Sequence, residues 1–389
     1  MSVREERTMD YELMHRNHPV ASLSMTEEGL ITGAKLVRIP ERMPLGTMNG
    51  SVVNLGKLQS WWDGRRIPAS RSGLRNLLDA LDITETRQIL LKSMGLSLSD
   101  QYWVRPSGSG LEWESVNYFD NEFSDDIGDL LFSKTRSMSP EFSFSSPDNT
   151  SDGVLKKRWK MIGGKRCLVK GGNGIIPQEP FNEVVASMVS EVLDLAHVDY
   201  AIVWDDGMPY SVCEDFIDKD IELITANRLL SACGKEGSTY RRLVSCCEEK
   251  NVDIVPFLDR MMTLDYLMCN GDRHTNNFGL IRDAETLEFI GPAPIYDTGT
   301  SMGAGMRTES IPKAAIECKP FKETFDQQMD YVTDLSWVDF DALRGSVPKV
   351  REVYESSEGL IDGPRIDAIM GLFIERIDRL ERLSHIDRS

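Results

Sequence analysis

The sequence predicts an α+β protein of two lobes, a small antiparallel sheet lobe followed by a helical lobe, with a further α+β module at its N-terminus. Three observations carry this. Between residues 141 and 217 short strand-like runs are punctuated by turns, with Gly163-Gly164 and Asp205-Asp206-Gly207 as hairpin signatures. From residue 218 onward the apolar residues recur mostly at helical spacing. Residues 1–100 repeat a strand-then-helix texture of their own. The expected division is a module over 1–100, a connecting segment over 101–140, a sheet lobe over 141–217 and a helical lobe over 218–389.

In the first module, Val20–Leu23 and Leu30–Ile39 read as strands around the turn Thr26–Gly29. Ser72–Leu81 has helical spacing with Ser72 as its cap, and Thr84–Met94 repeats the pattern. Trp61-Trp62 beside Gly64-Arg65-Arg66 is either a recognition patch or, the weightier reading, a pair of tryptophans packing strands onto helices. Gln101–Arg105 is a strand. Trp113–Phe132, rich in aromatics and acids, is expected to wrap a core edge and pin two domains together.

In the sheet lobe, Phe142-Ser143-Phe144 alternates, Ser145–Gly153 is a polar loop, and Val154–Ile162 and Arg166–Lys170 form a hairpin. Small residues in such a loop let backbone N–H groups approach anionic oxygens. Lys170 ends the second strand beside two glycines, and Glu183 lies in the first turn of a helix expected over Glu179–His197. A strand lysine followed by a helix glutamate can clamp nucleotide phosphates. Ala201–Trp204 and Tyr210–Phe216 make a second hairpin, running into an extended crossing at Glu214–Asp218. Helices are expected at Ile221–Ala232, Thr239–Lys250, Val255–Met268 and Arg365–Ile386.

The decapeptide NGDRHTNNFG, Asn270–Gly279, follows the third of these helices. Phosphoryl transfer needs a carboxylate to orient the attacking hydroxyl and an amide oxygen to hold a metal on the phosphates. Asp272 and Asn277 supply them, and Asp297 in PIYDTGTS offers a second carboxylate.

Composition narrows the partners. At 389 residues, with 41% hydrophobic and 27% charged residues, the chain has enough apolar content for two or three packed cores. A net charge of −18 makes direct nucleic-acid binding unexpected and calls for magnesium to bring a polyanionic nucleotide near carboxylates. Seven scattered cysteines without a CxxC fit reduced thiols better than a disulfide framework or a zinc site. The charged N-terminus and the lack of a membrane-length apolar run give a cytoplasmic expectation.

The order of these signals resembles the protein-kinase-like fold, and the words LVK (Leu168–Lys170), FNE (Phe181–Glu183), CEDF (Cys213–Phe216), NGDRHTNNFG and APIYDTGTS (from Ala293) resemble the HipA-like serine/threonine kinases of bacteria and their phages. The resemblance covers roughly residues 140–385; the first hundred residues resemble no named module. It implies ATP and Mg²⁺ as cofactors, Asp272 as catalytic base, and Asn277 and Asp297 as metal ligands. Lys170, supported by Glu183, would grip the phosphates, and backbone groups of Glu214 and Phe216 would meet the adenine. The loop holding Ser151 and Gly153 would cover the phosphates. The family can carry a phosphorylated serine in that loop, and Ser151 is the nearest candidate, although the loop departs from better-known members. Thr298 follows the metal-binding aspartate where many kinases have Phe, so an aromatic switch does not carry over. His274 reads two ways: DRHxxN also resembles the catalytic loop of phosphatidylinositol kinases, where the histidine helps the chemistry, and a histidine can equally brace the loop.

The resemblance implies a serine/threonine protein substrate and extends to autophosphorylation, toxin activity and an antitoxin partner. Two other readings share the residues: a phosphatidylinositol-like or small-alcohol kinase, and a non-catalytic kinase-like binding module.

Overall fold

The computed structural model describes residues 7–71, 73–132, 143–150, 156–172, 176–313 and 317–385. The N-terminal part is built on a four-stranded antiparallel sheet of order β3-β2-β1-β6, from β1 (Thr8–His15), β2 (His18–Thr26), β3 (Ile31–Val37) and β6 (Tyr102–Pro106). β4 (Met48–Asn49) and β5 (Val52–Val53) form a small ribbon beside it. α1 (Leu55–Asp63) covers one face of the sheet, with Trp61 and Trp62 buried, as the packing reading required. α2 (Leu74–Leu81) and α3 (Thr86–Lys92) follow; Ser72 lies outside the described residues, and Gly73 at φ +83° is the residue that caps α2.

β6 is followed by α4 (Trp113–Val116) and α5 (Asp126–Phe132). Trp103, Trp113, Tyr118 and Phe119 share one buried cluster with Ile217, Ile281 and Ala293, so this aromatic segment does pin the two halves of the chain together. Beneath that seam Glu222, fully buried, accepts from Arg282 Nε at 2.7 Å and lies 3.2 Å from His15 Nε2.

The second sheet, order β7-β8-β10-β9, is antiparallel throughout: β7 (Lys157–Ile162), β8 (Lys165–Gly171), β9 (Ala201–Asp205) and β10 (Met208–Glu214). Gly163 and Gly164, at φ +59° and +80°, make the tight turn between β7 and β8 that a side chain would strain. Phe144 and its neighbour Ser143 are not in a strand. α6 (Glu179–Val192) packs on this sheet and ends earlier than the apolar spacing predicts. Asp194 turns to φ +52°, and the chain then pairs with the strand-like run at Ile295, Val198 N–H donating to Ile295 O at 2.9 Å.

The expected helix Ile221–Ala232 is corrected. Ile221–Thr225 is β11, the first strand of a third sheet with β12 (Gly279–Asp283) and β13 (Phe289–Pro292), and only Ala226–Ala232 is helical (α7). Glu222 and Ile224 are buried while Ile221, Leu223 and Thr225 are less so, the alternation of a strand. Pairing to β12 brings the backbones so close that a Cβ at Gly279 would collide with the Ile224 carbonyl. α8 (Thr239–Glu248), α9 (Val255–Met268), α10 (Phe325–Met329), α11 (Phe340–Glu355) and α12 (Gly363–Ser384) complete a helical region around one large core. A disulfide joins Cys233, just after α7, to Cys246 in α8, correcting the expectation that all seven thiols are reduced; the packing of α7 on α8 brings their Cα atoms to 6.0 Å.

Candidate active site

The cleft between the second sheet, the start of α7 and α1 has a volume of about 910 Å³. It gathers residues remote in sequence: Lys157 and Lys170 from the β7–β8 hairpin, Glu214 to Ile217 leaving β10, His274 to Asn277 after α9, and Tyr296-Asp297.

Lys170 is buried at the end of β8, where its backbone pairs with Ser211. Its Nζ donates to Asp297 Oδ1 at 2.6 Å and to Glu183 Oε1 at 3.1 Å. The expected lysine–glutamate pairing is therefore formed, and Asp297 shares the same ammonium. Burial opposes the lysine's charge, but Asp297 and Glu183 outweigh it and raise its pKa. For Asp297 burial pulls upward, and the cations Lys170, Lys157 and Arg273 win, holding the carboxyl well below its usual range. Burial pushes the Glu183 carboxyl up against the pull of Lys170.

Glu183 reaches this point from the first turns of α6, and its second oxygen accepts from Thr298 N–H at 2.8 Å. Its neighbour Asn182 donates to Gly299 O and Ser301 O, both at 2.8 Å, so α6 holds the whole turn after Asp297. Asp297 itself stands at φ +58°, an uncommon conformation for a residue other than glycine, and its N–H donates to the Tyr200 hydroxyl at 3.3 Å.

Arg273, fully buried, is the brace of the central loop. Its Nε and Nη2 engage Asp265 on α9, at 2.9 and 3.0 Å. Its Nη1 donates to Asn277 O at 2.9 Å and to Tyr296 O at 2.5 Å, and Nη2 also donates to Thr298 Oγ1 at 3.0 Å. One guanidinium thus binds the backbone at Asn277 and the backbone just before Asp297, which brings together two residues twenty positions apart in the chain. The Asn277 amide nitrogen donates to Asp272 O at 3.3 Å, and among the described residues its oxygen accepts no hydrogen bond.

Asp272 is not part of the cleft lining. Its carboxylate is 43% exposed and accepts from Lys319 Nζ at 2.8 Å. His274 lines the cleft, and its Nδ1 accepts from Asn276 N–H at 3.3 Å, a bracing contact within the loop. Glu214 and Phe216 both line the cleft. The Glu214 carboxylate is turned to Lys165 at 2.6 Å, and the Phe216 ring packs on Tyr296 with centroids 5.4 Å apart. Ser151 and Gly153 lie outside the described residues; Thr150, just before them, lines the cleft and donates to Leu96 O at 2.9 Å. The motif reading missed Lys157, Arg273 and Lys319. Lys157 was legible as the cross-strand partner of Lys170; Lys319 had no signal, since it lies 47 residues from Asp272 in a segment without periodicity.

A hard cation would find an all-oxygen pair in Asp297 and Asn277, which suits magnesium better than zinc. Among the described residues no three His, Cys, Asp or Glu side chains close on a common point, so a bound ion would take its remaining ligands from phosphate and water. Among the described residues, too, no helix is long and apolar enough to cross a membrane.

No protein-family model matches the sequence, and no curated protein matches it. Solved structures do. HipA of Shewanella oneidensis MR-1, from a toxin–antitoxin complex with HipB and operator DNA, is 12% identical with a TM-score of 0.58, covering 97% of this chain and 100% of that one. The Helicobacter pylori proinflammatory kinase CtkA is 19% identical with a TM-score of 0.46, covering 59% of this chain and 95% of that one. The chain has the HipA-like kinase fold, and the likeness to HipA extends through the N-terminal part as well.

Proposed function

We propose that this protein is an ATP- and Mg²⁺-dependent kinase that phosphorylates serine or threonine in a protein. The observation that carries the reading is the convergence of Glu183 and Asp297 on the Lys170 ammonium, in the cleft that Asn277 also lines. Phosphoryl transfer asks a protein chiefly for placed charge and little covalent chemistry. In this reading the second sheet and the helical region are the two lobes, meeting at the crossing from Glu214 to Ile217. The base stacks by that crossing, taking hydrogen bonds from the backbone of Glu214 and Phe216. Lys170 holds the phosphates, kept charged and aimed by Glu183, and Lys157 adds a second cation. The loop with Ser151 and Gly153 covers them, and Ser151 is the candidate for autophosphorylation.

Asn277 and Asp297 would hold the magnesium, whose chemistry is to neutralise charge on the phosphate oxygens. Asp272 orients the acceptor hydroxyl and takes its proton, and His274 braces the loop between them. Arg273 fixes Asn277 and the backbone before Asp297 on one centre. Because the HipA structure contains HipB and operator DNA, we extend the reading to a toxin with an antitoxin-type protein partner, any contact to DNA being made within that assembly.

The acceptor class is tested by incubating the protein with labelled ATP and magnesium, once with a bacterial protein extract and once with phosphatidylinositol vesicles. Label on serine or threonine of protein supports this reading. Label on lipid alone would replace the protein acceptor by a lipid one, and label on neither would leave a binding module.

A further inference from the structure

The same cleft holds a cation that the nucleotide reading does not use. Arg228 lies in α7 and lines the cleft. The preceding Asn227 N–H donates to Thr275 O at 2.8 Å, so Arg228 is moored to the loop between Asp272 and Asn277. Among the described residues, only Nη2 of its several N–H donors makes a side-chain hydrogen bond, to Trp61 O at 3.2 Å, and no carboxylate lies in ion-pair contact with it. Beside it Arg65 has already taken the nearby acid, Asp100, at 2.5 Å, and spends its other nitrogens on Gly95 O and Tyr102 O. Asp100 thus meets Arg65 in contact and Arg228 only through its charge at a distance, and positive charge is left facing the cleft in a chain of net charge −18. Burial and the neighbouring Arg65 pull the Arg228 pKa down to about 10, which still leaves it charged at neutral pH. A half-buried, under-paired cation is costly unless an anion completes it.

Resting on the kinase reading, we propose that Arg228 is the subsite for an acidic residue of the acceptor polypeptide: a glutamate or aspartate near the target serine or threonine forks onto its guanidinium and sets the hydroxyl toward Asp272. A planar guanidinium with open donors suits a carboxylate in two-point contact. Its mooring to the Thr275 backbone puts that contact beside the loop that meets the acceptor. The donor phosphates already have Lys170 and Lys157, and the same cleft also takes in Trp61, Arg65 and Arg228.

The test uses the full chain with magnesium and ATP and a degenerate serine/threonine peptide set in which each flanking position carries glutamate in turn, against glutamine twins. At the best position kcat/KM for the glutamate peptide should exceed its twin by about tenfold, the worth of one charge-assisted hydrogen bond. In Arg228→Gln the ratio should fall to near unity, and in Arg228→Lys, which keeps the charge without the fork, it should lie between. A ratio unchanged in Arg228→Gln overturns the proposal. So does a loss of ATP affinity in that variant, which would move Arg228 to the donor side. If the wild type treats the twins alike, or uses no peptide while binding ATP through Lys170, the subsite falls and the kinase reading stands. If the wild type binds no ATP, both fall.

Discussion

Lys319 Nζ lies 2.8 Å from Asp272 Oδ1, joining the carboxylate of the central loop to a segment that follows it by 47 residues. The backbone that presents Lys319 is fixed: the buried Gln328 donates to Lys319 O at 2.9 Å and accepts from Phe321 N–H at 3.1 Å. Both partners of the ion pair are close to half exposed, so the pair stabilises the fold little, within about 1 kcal/mol. Beside the proposed base, Lys319 would set the carboxylate's direction.

Lys319→Met should therefore leave the unfolding midpoint nearly unchanged while slowing phosphoryl transfer about fivefold or more, the rate equivalent of about 1 kcal/mol. Steady-state kinetics beside a denaturant curve checks it. A large loss of stability with unchanged turnover would make Lys319 structural only.

Lys170 differs in kind, because it and Glu183 are buried. Lys170→Met leaves Glu183 without its cation and should cost about 3 kcal/mol of stability, the low end for a broken buried pair, since Asp297 is 35% exposed and partly solvated. It should also weaken nucleotide binding by at least about tenfold. Glu183→Gln should weaken binding less. Chemical denaturation without nucleotide, together with calorimetric titration of ATP, separates the two effects; full ATP affinity in Lys170→Met would remove Lys170 from the phosphate site.

At the seam between the N-terminal sheet and the helical region, burial raises the Glu222 pKa, but the His15 hydrogen bond and the charge of Arg282 outweigh it and hold it below the ordinary value. A depressed folded pKa means the contribution to stability is complete above the unfolded pKa and is lost as pH falls through the folded one. The wild type should thus lose stability more steeply than Glu222→Gln below about pH 4.3, the ordinary glutamate value. At neutral pH the variant should be less stable by about 3–5 kcal/mol. Urea unfolding at a series of pH values gives both; parallel curves for the two proteins would contradict the assignment.

Much of this site is legible in the sequence. Turn chemistry gave the β7–β8 hairpin, and apolar spacing gave α9 with both its ends. The lysine–glutamate pair followed from a strand end and a helix start. What local pattern could not show was long-range pairing. Ile221–Thr225 continues an apolar run into α7 and looks helical until β12, more than fifty residues later, supplies its ladder. α1 went unread although Asn54 caps it, its side chain accepting from Lys57 N–H at 3.0 Å. Arg273 was visible as a letter in DRH but not as a brace, because its partners Asp265, Tyr296 and Thr298 come together only in the fold. Arg228 and Lys319 belong to no motif and acquire meaning only from what faces them.

The most direct test of the central claim is transfer of the γ-phosphate. Purified protein is incubated with γ-labelled ATP and magnesium, and label on protein is compared between the wild type and Asp272→Asn. A catalytic Asp272 predicts label from the wild type and a loss of about 10²–10⁴-fold in rate for the variant, the worth of a positioned general base, with ATP affinity retained. Equal labelling by both proteins, or none by the wild type while it binds ATP, would contradict it.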